Sequence, residues 1–183
     1  MKFTAFINDE DVVPGGSDRY EIKTCSDGTE CALIRIPTGP IKFIRKMAEA
    51  LPDEVIVLYV HKVPRTEAWE LGRYQSPPLT QDQALQFLDR FGDFFEGDGR
   101  HDLWIYWPKY IQLVYDNHER IYLYGHIPSI EAKLAQLGVT KEPVGEIDFP
   151  HKHHYNPEFD AALDDLMQAF EWKMSPLQES DDD

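Results

Sequence analysis

The feature that most restricts the fold is a set of three short strand-like segments at 102–107, 110–115 and 120–124. In the second and third segments, apolar and polar residues alternate, which is typical of a strand with one buried face. A four-residue polar turn, Asp116-Asn117-His118-Glu119, separates these two segments. Because so short a connection joins antiparallel neighbours, the three segments are predicted to form a meander.

The rest of the chain contains strands and helices that are grouped and not strictly alternated. Strands are predicted at 2–7, 20–25, 31–36 and 54–60, and irregular structure at 9–18 and 63–79. Helical periodicity predicts helices at 40–51, 80–96 and 128–137, and a last helix between Asn156 and Pro176. This grouping favours an α+β protein, with a mainly antiparallel mixed sheet of about six to seven strands. Three to four helices are expected to pack largely on one face of that sheet.

The 183 residues fit one domain of ordinary size. No change in composition marks a linker, and the roughly 30 residues beyond 155 could not bury a core of their own. Residues 1–177 are therefore predicted to form a single α+β domain. Residues 178–183, with the sequence Gln-Glu-Ser-Asp-Asp-Asp, are predicted to form a disordered acidic tail.

The chain shows no membrane or secretion signal. Its first ten residues lack the apolar stretch of a signal peptide, and its longest apolar run, 55–60, is far shorter than the roughly 20 residues of a membrane helix. A cytoplasmic location follows as an expectation, with Cys25 and Cys31 as reduced thiols. The turn between them would bring the two cysteines opposite each other in a hairpin, so a redox pair is the alternative.

Charge is the strongest indication of what the protein binds. The chain has 33 acidic and 18 basic residues, a net charge of −15, of which residues 142–183 carry −10. This excess repels phosphate backbones and anionic membranes, so neither nucleic acid nor a membrane is an expected partner. A basic protein would be attracted to the C-terminal third. The alternative is that the carboxylates only keep the protein soluble.

No motif for catalysis is present: there is no Gly-x-Ser-x-Gly, phosphate-binding loop, His-Glu-x-x-His or dinucleotide fingerprint. The sequence therefore favours a non-enzymatic, acidic, protein-binding protein. An immunity or antitoxin protein that neutralises a basic toxin, such as a nuclease, has this charge and size. The candidate partner-binding residues are four carboxylates of the last helix and two aromatic residues: Asp160, Asp164, Asp165, Glu171, Trp107 and Tyr110.

Two further hypotheses concern these aromatic strands. The stretch from Trp104 to Tyr110 is also the pattern of a strand that is covered on both faces, in which case Trp107 is buried. If the segment 110–115 lies at the edge of the sheet, it could pair with a second copy of itself and form a homodimer.

A histidine cluster, His151-Lys152-His153-His154, supports an alternative function. On an extended segment, His151 and His153 project to the same face. Imidazoles at this spacing, together with His154 and a nearby carboxylate such as Glu158 or Asp160, are candidate ligands for zinc or another transition metal. The alternative is therefore a metal-assisted hydrolase or a small-ligand-binding protein that uses residues 151–154. The remaining histidines, His118 among them, are isolated in sequence.

Overall fold

The computed structural model describes residues 2–7, 10–12, 15–25, 28–51, 54–108 and 110–181. Its strands are β1 (Phe3–Ile7), β2 (Glu10–Val12), β3 (Arg19–Thr24), β4 (Glu30–Arg35), β5 (Ile56–His61), β6 (Gly72–Gln75), β7 (His101–Trp107), β8 (Ile111–Tyr115), β9 (Arg120–Gly125), β10 (Thr140–Lys141), β11 (His151–His153) and β12 (Lys173–Ser175). Its α-helices are α1 (Pro40–Ala48), α2 (Gln81–Gly97), α3 (Ile127–Gln136) and α4 (Asp160–Met167).

Nine strands form one large sheet in the order β10-β3-β4-β9-β8-β7-β5-β6-β12. All neighbouring pairs are antiparallel except β10 and β3. The predicted α+β class is confirmed, and the predicted meander corresponds to β7, β8 and β9. The sheet has more strands than the six to seven predicted, because the short strands β6, β10 and β12 lack an alternating pattern.

One ladder of apolar side chains shows which face of this sheet is buried. Val57, Ile105, Leu113, Leu123 and Ala32 stand opposite one another across β5, β7, β8, β9 and β4. All five are at most 1% exposed and share one hydrophobic core with the inward residues of the four α-helices. Burial of this apolar face against the helices is the main stabilising contribution to the fold.

Helix α2 begins where the sequence predicts, at a capping box. The backbone N–H of Gln83 donates to Thr80 Oγ1 at 3.2 Å, and Gln83 Oε1 accepts from the Thr80 N–H at 2.9 Å. The helix ends at Gly97, and the chain then enters β7 through Asp98, Gly99 and Arg100.

A second, three-stranded sheet has the order β11-β1-β2. Strand β1 was expected, but β2 lies in the segment 9–18, which was predicted to be irregular. Lys2, immediately before β1, attaches this small sheet to the large one: its buried Nζ donates to the carbonyl oxygen of Asp116 at 2.9 Å. Desolvation by burial lowers the pKa of Lys2 to about 8, although nearby carboxylates oppose this shift.

The C-terminal region differs from the prediction. Helix α4 ends at Met167, and residues 173–175 form β12 instead of extending the helix. Residues Glu179–Asp181 form a 3-10 helix, and the buried carboxylate of Asp181 pairs with Arg73 at 3.0 Å. The predicted disorder is therefore wrong for residues 178–181, because composition does not reveal that one acidic side chain of the segment has a buried basic partner. Residues 182–183 lie outside the described part of the chain.

Candidate metal centre

The first component of the site is the turn between β8 and β9, which presents His118. Asp116 shapes this turn, because its Oδ1 accepts from the backbone N–H groups of His118 at 2.9 Å and Arg120 at 2.8 Å. Glu119 adopts the left-handed region, with φ of 60°. A short polar side chain that bonds the backbone two residues ahead is a common way to fix a turn. The His118 imidazole is thus held at the end of the large sheet.

The second component is β11, which presents His151 and His153. Strand β11 pairs with β1 so that Phe3 is opposite His153 and Ala5 is opposite His151. Because side chains alternate along a strand, both imidazoles project to one face, as the sequence predicts. The fully buried Phe3 ring lies beside all three histidines, with ring centroids 5.8 Å from His118, 5.9 Å from His151 and 6.2 Å from His153.

A buried ion pair between Asp98 and Arg100, here called the clamp, holds β11 in this place. Arg100 donates from Nε to Asp98 Oδ1 at 2.7 Å and from Nη2 to Asp98 Oδ2 at 2.8 Å. The same Arg100 donates from Nη2 to the carbonyl oxygen of Asn156, and Asp98 Oδ2 accepts from the Asn156 N–H at 2.9 Å. Between them, the Gly99 N–H donates to the carbonyl oxygen of His154 at 2.8 Å. The segment after β11 is therefore tied to the connection between α2 and β7.

These elements bring three imidazoles together. Each of His118, His151 and His153 offers one ring nitrogen, and the three nitrogens lie within 4.8 Å of one another. The Nε2 atoms of His118 and His151 are 3.1 Å apart. His151 Nδ1 is 3.1 Å from the carbonyl oxygen of Phe149, which can only accept, so Nδ1 carries the proton and the Nε2 lone pair faces His118. Nitrogen atoms that bind one zinc ion at about 2.0–2.1 Å must approach each other this closely.

The environment of two of these imidazoles, His118 and His153, favours the neutral form. Burial lowers the pKa of His118 to about 3, and the neighbouring His153 and His151 add to the effect. Burial also lowers the pKa of His153 to about 4. A metal binds the deprotonated ring nitrogen, so neither ligand has to lose a proton at neutral pH.

Asp116 supplies a carboxylate behind His118. Its Oδ2 lies 3.9 Å from His118 Nδ1, on the side of the ring away from His151. Burial raises the pKa of Asp116 to about 6, and the charge of Asp102 acts in the same direction. Histidines that bind metals commonly have a carboxylate or a carbonyl oxygen at their second nitrogen. Here the Phe149 carbonyl lies at hydrogen-bond distance from His151, whereas Asp116 is near His118 Nδ1 but too far away for a hydrogen bond.

The predicted metal ligands are thus only partly brought together. His154 turns away from the cluster, and its Nε2 lies 3.0 Å from Thr4 Oγ1. Asp160 does not join the histidines either: it pairs with Arg65 at 2.7 Å and with Arg100 at 3.0 Å, and hydrogen bonding to Arg65 lowers its pKa to about 2. The third imidazole is His118, which is 33 residues before His151. Only the strand pairing reveals it.

The predicted partner-binding residues do not form one free acidic surface. Besides Asp160, Asp165 pairs with Arg90 at 3.0 Å, and Asp164 accepts from the Trp69 indole N–H at 2.7 Å. Glu171 is exposed. Trp107 is 1% exposed and belongs to the core, so its assignment to a partner-binding surface is wrong: it occupies the inward face of β7. Tyr110 is 60% exposed at the turn before β8.

The position of β8 in the sheet bears on the homodimer hypothesis. Strand β8 lies between β7 and β9, so it is not the sheet edge through which a homodimer was expected to form.

Cys25 and Cys31 are free thiols with their sulfur atoms 3.5 Å apart, and Lys23, not Cys25, is the residue opposite Cys31. Burial raises the pKa of Cys31 to about 12, which keeps this thiol protonated.

Comparisons with models of known protein families, with curated proteins and with solved structures find no match to this chain. Among the described residues, no helix combines the length and the apolar character needed to cross a membrane.

Proposed function

We propose that this protein is a metalloprotein that binds a single transition-metal ion, zinc in the first instance, through His118, His151 and His153. The observation that supports this proposal is the convergence of three ring nitrogens within 4.8 Å. The low pKa values of His118 and His153 support it further, because a neutral imidazole can bind a metal without first losing a proton.

The proposed activity is metal-assisted hydrolysis. Structural zinc sites are closed by four protein ligands, whereas catalytic sites have three and leave a position for water or substrate. The three histidines fit the second class, and all retain some exposure to solvent. Zinc in such a site lowers the pKa of bound water to about 7. The protein's own contribution is to orient the imidazoles: Asp116 fixes the turn that carries His118, and the Phe149 carbonyl lies at hydrogen-bond distance from His151 Nδ1.

The test is calorimetric titration of the metal-free protein with zinc. We expect one ion per chain at micromolar metal. His118→Ala should lower the affinity by more than about 100-fold, because loss of an outer partner alone costs about 10–100-fold. His154→Ala and His126→Ala are matched controls that should bind as the wild type does, since one histidine contacts Thr4 and the other Ser129. No heat above background, or equal loss in His118→Ala and His154→Ala, would contradict the proposal.

Recognition of a basic protein partner is a second candidate function. Its support is the net charge of −15 and the position of Asp164, whose carboxylate accepts from a neutral indole. A net charge of this sign would accelerate association with a cationic protein, and the effect would weaken with salt. Capture of a basic protein at low salt should be lost in the double variant Asp164→Asn, Glu171→Gln. Unchanged capture would contradict this function.

The proposed location is the cytoplasm. The free thiols of Cys25 and Cys31 support it, because reducing conditions keep thiol pairs from oxidising.

A further inference from the structure

The thiols of Cys25 and Cys31 are in contact at the turn end of the β3–β4 hairpin, with their sulfur atoms 3.5 Å apart. Cys25 comes directly after β3, and its backbone N–H donates to the carbonyl oxygen of Thr29 at 2.7 Å. Cys31 lies in β4, opposite Lys23. Because side chains alternate along a strand, the two cysteines project to the same face as diagonal neighbours. The pairing of the two strands therefore holds the sulfur atoms together.

The distance between the sulfur atoms suits the formation of a bond. Groups that react within a folded protein are typically held about 3–3.5 Å apart, which is the separation observed here. An S–S bond is about 2.0 Å long, so the sulfur atoms have to approach by about 1.5 Å. Cys25 lies beyond the last paired residue of β3, so this approach leaves the β3–β4 ladder intact. The chain contains no other cysteine that could compete.

The two thiols differ in exposure, and this difference gives them different roles. Cys25 is half-buried, whereas Cys31 is 2% exposed. Burial raises the pKa of Cys31 to about 12, with Cys25 acting in the same direction and Lys23 against it. Because the thiolate is the nucleophile in exchange reactions, Cys31 is a poor first reactant. A small oxidant in solution reaches Cys25 first.

We propose that Cys25 and Cys31 are a modification site at which a low-molecular-weight disulfide, such as oxidised glutathione, is exchanged for a reversible disulfide between β3 and β4. Cys25 attacks one sulfur of the oxidant, whose S–S bond breaks, and the first glutathione leaves with the Cys25 proton. Cys31 then attacks the sulfur of Cys25, and the second glutathione leaves with the Cys31 proton. Two protein thiols are oxidised to a disulfide, and one disulfide is reduced to two thiols.

The second exchange occurs within one molecule, and this determines the product. The Cys31 sulfur is already beside Cys25, so its effective concentration is far above that of any thiol in solution. The mixed disulfide at Cys25 should therefore not accumulate. The pair would stay reduced in a reducing compartment and become joined when the ratio of disulfide to thiol around the protein rises.

The test is mass spectrometry of the folded, full-length, metal-free protein after incubation with oxidised glutathione. The product should be lighter than the reduced protein by two hydrogen atoms, and dithiothreitol should restore the original mass. Trypsin releases both cysteines in one peptide, residues 24–35, and further cleavage after Glu30 separates them only in the reduced form. A persistent glutathione adduct, a disulfide-linked dimer or an unmodified protein would each overturn the proposal.

Two single variants test the order of the steps. Cys31→Ser should stop at the glutathione adduct of Cys25, because no second thiol can displace it. Cys25→Ser leaves only the buried thiol and should form its adduct at least about tenfold more slowly. In urea, where both thiols are exposed, the two variants should react at similar rates. Equal rates in the folded variants would refute the assigned order, and the wild-type result does not depend on the folding of either variant.

This inference is independent of the metal site. Neither cysteine belongs to the histidine cluster, so a failure to bind zinc leaves the result of the oxidation unaffected.

Discussion

The buried clamp between Asp98 and Arg100 provides the clearest test of how the fold positions β11. Both side chains are at most 1% exposed. Asp98 accepts from the backbone N–H, Nε and Nη2 of Arg100 and from the backbone N–H of Asn156. Asp98→Ala would remove all four hydrogen bonds and leave Arg100, among the described residues, with one carboxylate partner, the partly exposed Asp160.

Breaking a buried pair by removal of one partner costs about 3–5 kcal/mol. A domain of this kind has a total free energy of unfolding of about 5–15 kcal/mol, so Asp98→Ala should remove a large part of it. Urea denaturation followed by tryptophan fluorescence measures the change. Asp165→Ala is the control: its pair with Arg90 is exposed on both sides and should contribute less than about 1 kcal/mol. If Asp98→Ala costs no more than this control, the clamp does not hold the segment as we infer.

Two further predictions concern pH and the C-terminus. His118 and His153 titrate near 6.5 when unfolded but at about 3 and about 4 in the folded protein. The unfolded chain therefore binds protons that the folded chain does not, and the free energy of unfolding should fall as pH decreases from 6.5 towards 4. Urea denaturation at pH 7 and pH 5 measures this difference, and equal stability at both would contradict it. Asp181→Asn leaves the cation of Arg73 without its buried carboxylate and should lower the free energy of unfolding by about 2 kcal/mol or more in the same assay. Unchanged stability would contradict this prediction and indicate a disordered C-terminus.

The elements with strong local patterns were predictable. The alternation in 110–115 and 120–124 and the capping box at Thr80 each report contacts made within a few residues, and the structure contains β8, β9 and α2 at these places. Strands β2, β6 and β12 were not predicted. They are short and exist because they pair with a neighbouring strand, and such pairing leaves no periodicity in the sequence.

Two of the three histidines of the site were predictable, because their spacing is a local pattern. The two-residue spacing of His151 and His153 fixes them on one face of an extended strand, and the structure places them together. The third member, His118, joins them because Lys2 attaches β1 to the β8–β9 turn and β11 pairs with β1. His154, the next residue, faces Thr4 on the other side, as the same alternation implies. No sequence spacing identifies His118 as the third member of the cluster.

The most direct test of the central claim is the zinc X-ray absorption spectrum of the loaded protein. We predict nitrogen or oxygen neighbours at about 2.0–2.1 Å, with the outer-shell scattering of three imidazoles. In His118→Ala, one imidazole should disappear from the spectrum. Sulfur neighbours at about 2.3 Å would place the metal at Cys25 and Cys31 instead, and fewer than three imidazoles in the wild-type protein would contradict the proposed centre.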